Sequence, residues 1–156
     1  MRYLYAVCLM LSSGAVQAAS IDGAWDCSES FAEGPLKVSS TLIQHYDSAS
    51  AATHAKGQVQ LYQNNQLALQ FDVSIEGEFS LVGQRLTEKA SKVQLDSTLP
   101  TADPKQVAAF KQQLQQALEQ QTPLDVLVLD AQQLQVKDVT TGEISTCQRL
   151  EPAAKT

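Results

Sequence analysis

A chain of 156 residues with 17 acidic against 11 basic side chains, net charge −6, is about one domain long. It is too acidic to seek nucleic acid or an anionic membrane surface, since both select for a basic patch. At 44% hydrophobic residues it can bury a core, and the placing of its three cysteines bears on compartment and architecture.

The first residues, "MRYLYAVCLMLSSGAVQAAS", combine a basic Arg2, an apolar run from Leu4 to Leu11 and a small, polar stretch ending in Val16-Gln17-Ala18. This is the pattern of a secretory signal peptide, with cleavage expected after Ala18. The apolar run is shorter than the roughly 20 residues needed to span a bilayer. Residues 1–18 are therefore expected to leave, taking Cys8 with them, and residues 19–156 to form a single domain. No later apolar stretch is long enough for a membrane helix, so no stable membrane insertion is expected after cleavage. The destination read from this pattern is the bacterial periplasm or the exterior.

Export places Cys27 and Cys147 in an oxidising compartment, where two cysteines have only one intramolecular pairing. A Cys27–Cys147 bridge closes a loop of about 120 residues, which the chain-entropy model values at roughly 4 to 5 kcal/mol. A redox-active pair would normally show Cys-x-x-Cys spacing, and the chain has none.

From Leu36 to Leu95 the hydrophobic period is two. "LKVSSTLIQHY" reads as a strand of mixed facing. In "AKGQVQLY", Ala55, Gly57, Val59 and Leu61 share one side. In "QLALQFDVSIE", Leu67, Leu69, Phe71, Val73 and Ile75 alternate with polar or small residues, as in an antiparallel sheet with one wet face. "QNNQ" reads as the hairpin turn between these two, because asparagine tolerates positive φ. "EFSLVGQRLTE" and "SKVQLD" follow as further strands, with Gly77 of "EGE" expected at a turn.

The period then changes. In "TADPKQVAAFKQQLQQALEQQTP", Asp103 is an N-cap candidate and Pro104 suits the first helical position. Val107, Phe110, Leu114 and Leu118 make one apolar stripe, and Pro123 is expected to stop the helix. The few cations on its polar face, Lys105 and Lys111, argue for packing on the sheet rather than on a membrane. Strands resume with "LDVLVLD", "QQLQVKD" and "EISTCQRL", the last two joined by a turn at "TTG". The sum is a mainly β antiparallel meander of about eight or nine strands with one amphipathic helix inserted late. Such a meander must close as a barrel or fold over as a sandwich to cover its apolar face and edges.

The ends suggest how it closes. If the first strand pairs antiparallel with the last and Cys27 faces Cys147, Trp25 falls opposite Arg149 on the same face. An arginine over an indole is worth roughly 0.5 to 2 kcal/mol, depending on burial. Gly23-Ala24-Trp25 forms a G-x-W motif, and with Arg149 near the end the chain resembles the lipocalin-like group of small exported barrels. That resemblance implies a tryptophan at the barrel base packed beneath a late arginine, carried here by Gly23, Trp25 and Arg149. The helix departs from the group's pattern, since lipocalins place it after all eight barrel strands.

The sequence offers little chemistry. The two histidines, His45 and His54, flank "YDSASAAT", so a symmetric hairpin sets them across from each other with Asp47 nearby. They are the only metal-ligand candidates, and their spacing matches no zinc pattern, so no metal or other cofactor is expected. Glu76 and Glu78 flank Gly77 and read as solvated turn charges. No G-x-S-x-G elbow, phosphate-binding glycine loop or triad context occurs, so no enzymatic activity is expected. Two roles remain. One is a binding module whose barrel interior, lined by Val59, Leu61, Leu67, Leu69, Phe71 and Val73, holds a small apolar ligand. The other is a structural or interaction protein with a packed interior and an envelope protein as partner.

Overall fold

A computed structural model describes residues 19–151, and the segment 1–18 expected to be a signal peptide, with Cys8, lies outside them. Nine strands and one helix follow in order: β1 (Gly23–Asp26), β2 (Glu29–Glu33), β3 (Leu36–Asp47), β4 (Ala52–Gln63), β5 (Gln66–Val82), β6 (Arg85–Ser97), α1 (Pro104–Glu119), β7 (Thr122–Leu129), β8 (Gln133–Asp138) and β9 (Ile144–Arg149). All strand pairings are antiparallel, and β3 to β9 run as neighbours in sequence order. Closure comes from β1, which pairs with β9 on one side and with the second half of β3 on the other. The result is a closed eight-stranded barrel, and β2 is an extra strand on the first half of β3.

Local chemistry explains most of the turns. Asn64 and Asn65 have φ of 52° and 62°, the left-handed conformations that a two-residue hairpin requires. The β5–β6 turn is at Gly83, with φ +61°, and not at Gly77 as the sequence suggests. Gly77 lies inside β5, where a Cβ would stand 2.4 Å from the Lys89 carbonyl oxygen, so the glycine serves a close strand approach. The register shifts beside it, with Glu76 opposite Lys92 and Gly77 opposite Ala90, leaving Ser91 unpaired as a bulge. "QLALQFDVSIE" and the start of "EFSLVGQRLTE" are therefore one strand, and "SKVQLD" completes β6. Glu76 and Glu78 are exposed mid-strand residues rather than turn charges. β2 has no counterpart in the sequence reading, because all five of its residues are exposed and it shows no buried phase.

The helix begins as its sequence predicts. Asp103 caps it by accepting from the Lys105 amide at 2.9 Å, and Pro104 follows. It ends at Glu119, before Pro123, which already belongs to β7. Val107, Phe110 and Leu114 lie on the inner face of the sheet, with the Phe110 ring stacked on Phe71 at 5.3 Å between centroids.

The core has two parts. The lower one surrounds the closed end and contains Ile21, Trp25, Tyr46, Phe79, Leu86, Val126, Leu134, Val136 and Cys147. The upper one, Val59, Leu69, Phe71, Val73 and Leu95, lies beneath the helix. β6 pairs with β7 only from Arg85 to Glu88, so above that level the wall opens.

Candidate functional site

The seam between the chain ends is built as the sequence reading places it. Trp25 pairs with Arg149 and Asp26 with Gln148, and Cys27, the next residue, is bonded to Cys147 with a Cα separation of 4.3 Å. Trp25 is fully buried and donates its indole Nε1–H to the Ile21 carbonyl at 2.7 Å. The Arg149 guanidinium lies 4.1 Å from the indole centroid and donates to the carbonyl oxygens of Asp22 and Ser20. Gly23 makes room for it, since at φ +110° a Cβ would stand 3.1 Å from Arg149 Nη1. Asp22 ties the same corner to the β3–β4 turn by accepting from the Ser48 amide at 2.6 Å. Hydrogen bonds from Ser48 and Ser20, with a smaller attraction from Arg149, hold its carboxyl below the usual range. The seam clamps the fold and offers no reacting group.

Of the six residues expected to line a ligand cavity, Val59, Leu69, Phe71 and Val73 are buried beneath the helix, with Leu61 packed against them. Leu67 is half-buried and pairs with Tyr62 past a bulge that leaves Ala68 without a partner. Phe110 and its neighbours on the helix fill the space above this group.

Open space lies lower, between the two cores. Successive inward positions across β3 to β6 give a layer of Tyr46, Thr53, Gly77 and Ala90, and above it Gln44, Ala55, Ile75 and Val93. Three of these eight residues are Ala or Gly, and the layer leaves a recess of about 210 Å3. Its apolar wall comes from Leu42, Ala55, Ile75 and Ala90, with Ala117 and Leu118 of the helix above. Its polar wall is Gln44, Thr53 and Glu88, and the exposed Lys89 and Gln120 stand at its rim with Thr122, where β6 leaves β7.

Among the described residues, Glu88 is the one carboxyl in the lining. It occupies the last β6 position paired with β7, opposite Thr122, on the inward phase set by Leu86. The Tyr46 hydroxyl donates to its Oε1. Burial pushes the Glu88 carboxyl above the ordinary glutamate range, and the Tyr46 hydrogen bond opposes this only in part. Burial, followed by the charge and hydrogen bond of Glu88, drives the Tyr46 phenol well above its own range. Ion pairs among the described residues join Arg85 to Asp125 and Lys92 to Glu76, and none reaches Glu88.

The neighbouring amide is oriented by its partners. Thr53 donates its hydroxyl hydrogen to the His45 carbonyl at 3.0 Å, so it accepts from Gln44, whose NH2 must face it. The Gln44 carbonyl oxygen and Glu88 Oε2 accept from no described residue. No fully buried side-chain polar atom among the described residues lacks a partner, so both oxygens keep accessible surface, and both residues line the recess. The sequence reading missed this group. Its signal is a polar residue in the inward phase: Gln44 between Leu42 and Tyr46, and Glu88 between Leu86 and Ala90.

On the outer face, His45 and His54 are directly paired, their rings stacked at 4.5 Å and within 5° of parallel. Burial, then the nearby His45 and Lys56, lower the His54 pKa, while Glu76 opposes them. Asp47 is engaged in the turn, accepting from Ala49 and Ser50. No group of three or more potential metal ligands converges among the described residues. No helix of the described residues is long and apolar enough to cross a membrane. No protein-family model matches the chain, and no curated protein does.

Proposed function

We propose that the chain is an exported, non-catalytic binding domain that holds a small ligand in the recess between its two cores. The observation that carries this reading is the recess itself: an apolar wall facing two acceptor oxygens that the protein leaves unused. Ligand sites are concave and mostly apolar, with a few placed polar groups. At about 210 Å3 the space is below the usual range for drug-sized ligands, so it suits a small one. The reading includes export with cleavage after Ala18, a destination in the periplasm or beyond, and kinship with lipocalin-like barrels. The G-x-W motif and the arginine stacked on its tryptophan support that kinship. Catalysis has no support, because the recess pairs its one carboxyl with a tyrosine and holds neither a nucleophile–base pair nor a second carboxylate.

A second reading, a structural or envelope-interaction protein, draws on the helix filling the space over Phe71 and Val73. Native mass spectrometry of protein purified from an oxidising compartment separates the two. The binding reading expects an extra mass that is lost on denaturation and is absent from an Ala90→Leu variant, whose side chain fills the recess. An adduct that persists in that variant would place the ligand elsewhere. A bare mass for the wild type, with no small amphiphile binding on titration, would favour the packed reading. The denatured mass also reports the cleavage point.

A further inference from the structure

We propose that the recess takes a small alkylammonium ligand, with Glu88 as its counter-ion and the Gln44 carbonyl oxygen as a second acceptor. This rests on the reading of the recess as a binding site and names the ligand's chemistry.

The argument is one of complementarity. Every polar atom that the inner wall of the recess leaves free is an acceptor, and the donors of Lys89 and Gln120 stand only at the exposed rim. Tyr46 spends its one hydrogen on Glu88 Oε1, and Thr53 spends its own on the His45 carbonyl. The Gln44 amide hydrogens face Thr53. A ligand must therefore bring the donors. A carboxylate or phosphate seated on the inner wall would set its charge against Glu88, and the one cation of the lining, Lys89, stands at the exposed rim and makes no ion pair with Glu88.

Charge points the same way. A carboxyl surrounded by barrel wall without a cationic partner is costly to ionise. A ligand ammonium supplies the missing charge and up to three donors, of which Glu88 Oε2 and the Gln44 oxygen can each take one. The rest of the ligand meets Leu42, Ala55, Ile75 and Leu118, which offer only hydrocarbon. Size closes the argument: about 210 Å3 corresponds to roughly seven water volumes at about 30 Å3 each, enough for an ammonium with a short alkyl body.

The test uses the full chain and three probes of nearly equal size and different heads: n-butylamine, which is protonated at neutral pH, n-butanol and butyrate. Binding is followed by NMR through the backbone amides of Gln44, Thr53 and Ala90. The expected result is saturable shifts with the amine at least tenfold tighter than the alcohol, and no binding of butyrate. In Glu88→Gln the amine should lose its advantage and bind no more tightly than the alcohol does to the same variant. If the alcohol or butyrate binds in the recess as tightly as the amine, the ammonium inference is overturned and the recess remains a ligand site. If none of the three shifts these amides, the recess reading falls and takes the inference with it. The wild-type comparison decides the matter even if Glu88→Gln fails to fold.

Discussion

Opening the Cys27–Cys147 bridge should weaken the fold chiefly by freeing the unfolded chain. The bonded residues are 120 apart in sequence, and the chain-entropy relation for a loop of this size gives about 4.9 kcal/mol at 25 °C. With an unfolding entropy of about 2.1 cal/mol/K per residue over a domain of this length, the loss corresponds to a fall in Tm of roughly 15–20 °C. This is a ceiling, because compactness in the reduced unfolded chain offsets part of it. The suitable variant is Cys27→Ala/Cys147→Ala. Cys147 is buried in the lower core, where a serine hydroxyl would bring its own desolvation cost. Thermal and urea unfolding should be followed by circular dichroism on the oxidised wild type, the reduced wild type and the variant. Beyond the lower Tm, the urea m-value should rise, because an uncrosslinked unfolded chain exposes more surface. Coincident Tm and m-values in all three samples would refute the reasoning and show that the bridge constrains nothing the folded seam does not already hold.

Trp25→Ala should cost about 3–5 kcal/mol in urea unfolding, since it empties a fully buried site, removes the donor to the Ile21 carbonyl and takes the indole from beneath the Arg149 guanidinium; a loss under 1 kcal/mol would contradict the seam. Gly57→Ala should destabilise the barrel by about 1–3 kcal/mol or more, because its Cβ would stand 1.7 Å from the Thr41 carbonyl oxygen; an unchanged urea midpoint would show that β3 and β4 are farther apart there. Glu88 carries a raised pKa in the folded state, so its contribution is fully present below the ordinary glutamate value and is lost as pH rises through the raised one. The stability of Glu88→Gln relative to wild type should therefore improve from pH 4 to pH 7 in urea titrations; a constant difference would mean that the carboxyl ionises as freely as in water. Ala90→Leu should raise the melting temperature by the equivalent of about 0.5–2 kcal/mol by filling the recess, and a marked loss would show that there is no room beside Gly77.

The end-to-end seam was legible because a disulfide fixes a register: once Cys27 faces Cys147, antiparallel geometry leaves Trp25 no partner but Arg149. The helix was legible from its cap and stripe, and the histidine pair from the symmetry of its hairpin. Gly77 misled because a glycine between two glutamates looks like a turn, whereas here it is needed for a close approach of β5 and β6 that only tertiary structure reveals. The lining of the recess was hidden for a related reason. The bulge at Ser91 switches the inward phase of β6 from Leu86, Glu88 and Ala90 to Val93 and Leu95, so no single alternation marks Glu88 as internal. The apolar run that looked like a cavity wall, from Leu69 to Val73, is instead the seat of the helix, because Phe110 and Leu114 cover it.

A dry void of this size would be costly, and that cost bears on how the recess is filled. At about 24 cal/mol per Å3, a dry void of 210 Å3 would cost about 5 kcal/mol, comparable to the whole net stability of a small domain. Filling it would need little: Ala55 and Ala90 both point inward, and a larger side chain at either would close part of the gap. The chain instead keeps small residues there and sets a carboxyl and an amide oxygen facing the space, groups that hold water well and apolar packing poorly. Water held by two acceptors is readily displaced by a ligand that brings its own donors. A barrel clamped at its base by Trp25, Arg149 and the disulfide can carry such a hydrated gap above its lower core without coming apart. The rigid seam and the open middle layer are therefore parts of one arrangement, in which the clamp is concentrated at one end and an open space is left next to it.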